Sequence, residues 1–317
     1  MFKRRILMLP GPNEPYPEIL ELLHRMVMPH YGDEWSEVYI ETCNELKRIF
    51  QTKGDVLIYT SSGASAVGWV VSNLVNEGDR VIIVKNGFFG ELLERKVRLC
   101  GGRPIIVESE FGKAVDPDRV RKVAKENRDA RIIFTVYGET SAGVLNPVRE
   151  IGEVAEETGR LLVVDAISAF GGVELKMDEW HIDLCIGYAS KCMGSIPMLV
   201  PIAFNEEALK VSERVERVFP IIPNLKAWRE LTKYNSISKG AHVITPISTP
   251  TLNIIALREA VRIALSEGLD NRYRRHITAG RAMREGVRAI GLRVLPDEAD
   301  ALPTVTAIVV PEGMDVK

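Results

Sequence analysis

Seven short apolar runs, separated by longer stretches of helical spacing, constrain this chain more than any other feature. They are Val56–Thr60, Val81–Val84, Pro104–Val107, Arg131–Thr135, Leu161–Asp165, Leu184–Gly187 and Leu199–Phe204. Each is nearly continuous in apolar residues, as strands buried on both faces are. The intervening Ser65–Val75, Gly90–Leu99, Pro117–Asn127 and Pro147–Thr158 carry helical periodicity. The last opens on proline and stops at Gly159, ordinary helix start and stop signals. Strands alternating with helices predict an α/β fold around a mostly parallel seven-stranded sheet flanked by helices.

The flanking regions read differently. Tyr16–Met26 and Glu34–Thr52 are expected helices ahead of the sheet. After Phe204 the pattern turns helical, over Glu206–Val218, Leu225–Tyr234, Thr251–Ser266 and Asn271–Ile290. Leu292–Leu295 and Thr304–Val310 look like strands of a smaller sheet that begins without finishing. The expected organisation is an arm over 1–15, a large domain over 16–250, and the start of a smaller α+β domain over 251–317. The chain is expected to lack its natural C-terminal end.

Charge narrows the function. With 41 basic and 43 acidic residues the chain lacks the basic excess of a nucleic-acid binder. No run approaches the ~20 apolar residues of a membrane helix. Pro10-Gly11-Pro12 cuts the N-terminal apolar run too early for a signal peptide. Cys43, Cys100, Cys185 and Cys192 form no CxxC pair, so no metal site is expected, and a reducing cytoplasm fits them best. His24, His181, His242 and His276 show no ligand spacing.

Chemistry-bearing residues gather where runs end. Asp165 closes the run Leu161–Asp165, and ligands of parallel α/β sheets bind at the carboxyl ends of strands. Alone, it reads equally as a helix cap or salt bridge. Lys191 follows the next run in a turn of small residues, and alone reads as a surface lysine. The pair suits pyridoxal 5′-phosphate (PLP): the aspartate holds the ring nitrogen protonated and the lysine binds the aldehyde. Tyr59-Thr60-Ser61-Ser62-Gly63-Ala64-Ser65 joins a run to a helix and offers free N–H groups to a phosphate, or is a plain cap. In Asn86-Gly87-Phe88-Phe89-Gly90 an aromatic stands ready to stack on a flat ring, or belongs to the core. Tyr137-Gly138-Glu139-Thr140-Ser141 brings hydroxyls past another run, or forms a turn.

In this order and spacing, the five segments resemble the class V aminotransferases of PLP fold type I, closest to the alanine–glyoxylate and serine–pyruvate group. The resemblance runs from Pro10 to about Val310. It implies that Lys191 is the lysine bonded to the cofactor and Asp165 the partner of the pyridine nitrogen. It assigns Ser62, Gly63 and Ala64 to the phosphate, Phe89 and Ile167 to the two ring faces, and Thr140 or Ser141 to the phenolic oxygen. Ser190 stands where some relatives carry a phosphate-binding Gln. Ser248, or next Thr249, matches a segment reaching the neighbouring subunit's phosphate, which implies a homodimer. Gly11 resembles the loop near the substrate carboxylate, and His30 and Tyr31 line the entrance. The family's substrate-binding arginine is expected beyond Lys317.

The implied reaction is transamination between a small amino acid, alanine or serine, and a 2-oxo acid, pyruvate or glyoxylate. A cysteine desulfurase is the nearest rival, but its usual His close before the lysine is absent from Tyr188-Ala189-Ser190. A nucleotide-binding dehydrogenase would need a G-x-G-x-x-G turn, which the chain lacks. A cofactor-free binding module on the same scaffold is the third alternative.

Overall fold

The apolar runs become strands because they bury on both sides between helices. The computed structural model describes residues 6–24, 27–216, 223–230 and 245–315. Its strands are β1 (Asp55–Thr60), β2 (Arg80–Lys85), β3 (Arg103–Glu108), β4 (Ile132–Val136), β5 (Gly138–Glu139), β6 (Val144–Leu145), β7 (Leu161–Asp165), β8 (Leu184–Ile186) and β9 (Leu199–Phe204). Seven form one sheet in the order β1-β9-β8-β7-β4-β2-β3, and β5 pairs with β6 in a small ribbon. Neighbours in the large sheet run parallel except around β9, which opposes both β1 and β8. After β3 at one edge the chain returns to the far side of β2. This change of direction opens a crevice at the carboxyl ends of β2, β4 and β7.

The helices are α1 (Pro17–Leu22), α2 (Asp33–Phe50), α3 (Gly63–Leu74), α4 (Phe88–Leu99), α5 (Pro117–Glu126), α6 (Val148–Glu157), α7 (Glu206–Glu213), α8 (Thr251–Glu267) and α9 (Leu269–Ala289). Two begin two residues ahead of their apolar periodicity. Ser62 caps α3 by accepting the Ser65 N–H at 3.2 Å, so Gly63 already lies in the first turn. Gly87 likewise precedes α4. Ile254, Leu257, Val261 and Ala264 of α8 join the same core as Leu46 of α2 and Ile202 of β9.

Residues 225–230 are helical as expected, whereas the expected ends at Met26, Val218 and Tyr234, and His242, lie outside the described residues. The terminal runs Leu292–Leu295 and Thr304–Val310 meet at one bridge, Val294 to Ile308. Two half-exposed runs gain too little from pairing to extend further without a third strand. The segment between them instead braces loops at the carboxyl end of the sheet. Leu145 N–H donates to the Asp300 carbonyl and Leu302 N–H to that of Gly143, each at 2.8 Å. Thr304 Oγ1 donates to the Ser168 carbonyl at 3.1 Å.

Candidate active site

Strands β1, β2, β4, β7 and β8 all end on one cavity of about 150 Å³. Parallel registry puts Val136 beside Asp165 and Asp165 beside Ile186. Asp165 therefore emerges at the floor of the cavity, half-buried, with its exposed part turned to the cavity rather than to bulk water. Its Oδ1 accepts the Ile167 N–H at 3.0 Å. Among the described residues no group donates to Oδ2. Burial pushes this carboxyl up to about 7. The Ile167 N–H pulls it down, Glu139 pushes it further up, and Lys191 and Lys96 pull down again. An acceptor in this state, with one oxygen unclaimed, fits a ring nitrogen carrying a proton.

Lys191 reaches the same cavity from the turn after β8. Burial pushes its amine below the usual lysine range, opposed by the Cys192 thiol and by Asp165. Nζ donates to the Pro10 carbonyl at 2.9 Å. Asn13 fastens this N-terminal loop to the lysine turn: its N–H donates to the Ser190 carbonyl at 3.2 Å and its Nδ2 to the Lys191 carbonyl at 2.7 Å. A Cβ at Gly11 would lie 2.5 Å from Nζ, so only glycine lets the loop pass so close to the amine.

Around these two groups stand the walls. Gly63 and Ala64 present the N-terminus of α3, which carries no acidic residue in its first turn. Free N–H groups there favour an anion. Ile167 leans so close that a Cβ on Gly63 would meet its Cδ1 at 2.8 Å. Phe89 and Ile167 both line the cavity, while Phe88 is 55% exposed. Thr140 and Ser168 share a hydroxyl hydrogen bond of 2.5 Å on the same wall. The set fits a planar aromatic group with a protonated ring nitrogen, a phenolic oxygen and an anionic tail.

Other expected residues lie further out. Ser62 serves as the helix cap, and Ser190 is buried behind Lys191. Ser141 turns away from the cavity: its hydroxyl donates to Glu139 Oε1 at 2.6 Å and accepts the Phe88 N–H at 3.0 Å. Thr249 is buried against Thr245 at 2.7 Å, whereas Ser248 is exposed. His30 and Tyr31 stack edge to face on the surface.

Four residues at or behind the cavity were given no site role by the sequence, and one of them, Arg272, belongs to the charged run Asn271–Arg275 expected to form a solvated helix face. Lys96, Ser168 and Tyr188 line it. Arg272 on α9 does not, but it is fully buried and donates Nε to the Gly171 carbonyl at 2.7 Å and Nη2 to the Cys192 carbonyl at 2.6 Å. It thereby pins the turn that follows Asp165 to the turn that holds Lys191. Its Nη1 meets Glu267 at 2.9 Å, and hydrogen bonds from Arg275 and Arg272 hold that carboxyl down to about 2. Lys96 was one more charge on a helix, but Leu92, Leu93 and Lys96 share the face of α4 that meets the cavity.

The family model described as aminotransferase class-V matches residues 13–198. An uncharacterised aminotransferase of Methanocaldococcus jannaschii is 32% identical over 313 residues, covering 98% of this chain and 79% of the relative. The (S)-ureidoglycine–glyoxylate transaminase of Bacillus subtilis is 32% identical over 329 residues, 98% of this chain and 78% of that one. The crystal structure of the Bacillus subtilis ureidoglycine–glyoxylate aminotransferase matches with a TM-score of 0.89 at 31% identity, covering 100% of this chain and 80% of that one. The alanine–glyoxylate aminotransferase structure from Nostoc sp. also gives 0.89, at 26% identity, covering 99% of this chain and 82% of that one.

Proposed function

Because the chain belongs to the class-V aminotransferases, we propose that it transfers the amino group of a small amino acid, alanine or serine, to glyoxylate or pyruvate, using PLP bound at Lys191. The observation that carries this is the placement of Asp165 and Lys191 across one cavity at the strand ends. Glyoxylate appears in the names of two relatives, and this supports it as acceptor.

PLP, when bound, supplies an electron sink for the bond broken at the substrate's α carbon. Asp165 Oδ2 would accept a hydrogen bond from the protonated ring nitrogen and keep the proton on it. The N–H groups at Gly63 and Ala64 hold the phosphate on the dipole of α3. Phe89 and Ile167 would flank the ring, and Thr140, tied to Ser168, would be the hydroxyl offered to the phenolic oxygen. Lys191 would hold the group through its aldehyde, and once the incoming amino group displaced it, its free Nζ would carry the proton that leaves the substrate's α carbon. Burial suits this role, because it favours the neutral amine. Gly11 and the Pro10 carbonyl limit where that amine can swing.

The active form is proposed to be a homodimer. Leu9, Tyr31, Phe88 and Met198 are large exposed apolar groups on the segments that carry the N-terminal loop, the stacking aromatic and the β9 end of the sheet. By the family resemblance, exposed Ser248 is the residue that would reach the cavity of such a second copy. No helix among the described residues is long and apolar enough to cross a membrane. Four free cysteines suit the proposed cytoplasmic site.

The test is spectroscopic. Purified protein loaded with PLP is expected to absorb at about 400–430 nm through its lysine-bound cofactor. Lys191→Ala is expected to lose that band, and an unchanged band would overturn the assignment. A screen of donors against glyoxylate and pyruvate then fixes the substrates, and sulfide release from cysteine would identify a desulfurase instead.

A further inference from the structure

Glu139 is a carboxylate with 0% exposure that takes no part in the steps above. Burying a carboxylate is costly unless every lone pair finds a donor. Four donors converge on it. Oε2 accepts the N–H groups of Phe89 and Gly90, both at 3.1 Å. Oε1 accepts the Ser141 N–H at 3.1 Å and its hydroxyl at 2.6 Å. Among the described residues no Lys, Arg or His forms an ion pair with it. Its compensation comes from backbone dipoles, two of them in the first turn of α4.

Two walls of the cofactor cavity meet at this carboxylate. Phe89 follows β2, and Thr140 follows β5 directly after Glu139. Gly87 makes the junction possible: a Cβ there would lie 2.5 Å from Glu139 Cδ and Cγ and 2.6 Å from Ser141 Oγ. Ser141 closes the arrangement by accepting the Phe88 N–H.

We propose that Glu139 is a positioning residue for the cofactor ring, its single carboxylate locking the Phe89 wall to the Thr140 wall. This rests on the reading of the cavity as a PLP site. The charge has a second effect, because Glu139 raises the carboxyl of Asp165. The other groups bearing on Asp165 are the Ile167 N–H, Lys191 after β8 and Lys96 on α4, while Asp165 itself raises the buried Cys185 thiol on β8. Glu139 therefore governs how the ring lies and adds to the burial that raises its nitrogen partner.

The test compares wild type, Glu139→Gln and Ser141→Ala, each titrated with PLP. Glutamine keeps an oxygen for Phe89 and Gly90 but turns an amide donor against the Ser141 N–H and removes the charge. Expected for Glu139→Gln are about tenfold weaker PLP binding and reduced visible circular dichroism of the bound ring. The pH midpoint of Asp165 ionisation, followed in the apo-protein by carboxyl NMR, is expected to move down. Ser141→Ala keeps the charge, so it should weaken binding less and leave that midpoint in place. If Glu139→Gln fails to fold, Ser141→Ala alone decides: unchanged binding and dichroism overturn the proposal. So does a Glu139→Gln protein that matches wild type in all three readouts. Wild type that takes up no PLP would overturn the cofactor reading itself, a separate outcome.

Discussion

Replacing Asp165 with asparagine should stabilise the cofactor-free protein and weaken the cofactor-loaded one. The reason is the state of the carboxyl. In the folded chain it rises from 3.8 to about 7, driven first by burial. Between those values the folded protein keeps a proton that the unfolded chain gives up. The group's contribution is therefore full below 3.8 and is lost as pH rises through about 7. Above pH 7 the folded protein carries a charge it holds badly, at a ceiling of about 4 kcal/mol. Solvent screening of this half-buried group lowers the cost, so about 2 kcal/mol is the working figure. The asparagine side chain would keep the oxygen that accepts the Ile167 N–H and carry no charge to bury.

The assay is thermal unfolding at pH 8 and pH 5, with and without PLP. At about 2 °C per kcal/mol for a chain this size, Asp165→Asn apo-protein should melt about 4 °C above wild type at pH 8. At pH 5 the gain should fall to less than half, because wild-type Asp165 is then mostly protonated. PLP should reverse the order at pH 8, since its ring proton rescues the aspartate and finds no charge on asparagine. An apo variant that melts no higher than wild type at pH 8, or gains equally at both pH values, would refute the picture of Asp165 as a buried charge awaiting a cation.

Two further outcomes test the supports around that pair. Gly63→Ala puts a methyl 2.8 Å from Ile167 Cδ1, and Ile167 lines the cavity, so its displaced end crowds it. Titration should show PLP affinity falling about tenfold with the melting temperature little changed, and a large loss of stability would mean the glycine serves the fold rather than the cavity. Arg272→Met removes the donors to Gly171 and Cys192 and leaves Glu267 short of a partner. Denaturant unfolding should show a loss of about 3 kcal/mol, as for a broken buried pair, while a near-neutral result would show that the two turns hold without the clamp.

How much of this was legible in the sequence follows from the range of the interactions. Strand β7 (Leu161–Asp165) and strand β9 (Leu199–Phe204) were bounded to the residue, because a strand buried on both faces reads as a nearly continuous apolar run. Asp165 and Lys191 drew notice only as a pair: alone they read as a cap or salt bridge and a surface lysine, and their order past two successive apolar runs is what pointed both to the strand-end crevice that they line. The start of α3 was misplaced by two residues because capping by Ser62 precedes the apolar periodicity that marks the helix. Glu139 and Arg272 were illegible because their partners lie far along the chain, at Phe89 and Gly90 for one and at Gly171 and Cys192 for the other. What such residues recognise is backbone, and backbone N–H and carbonyl groups leave no trace in side-chain identity. Only the glycine at 87 hinted at the junction, since a position that must admit a carboxylate at 2.5 Å cannot carry a side chain. The residues proposed to hold the cofactor thus follow strand ends, while those that hold these residues in place are announced by the gaps left for them.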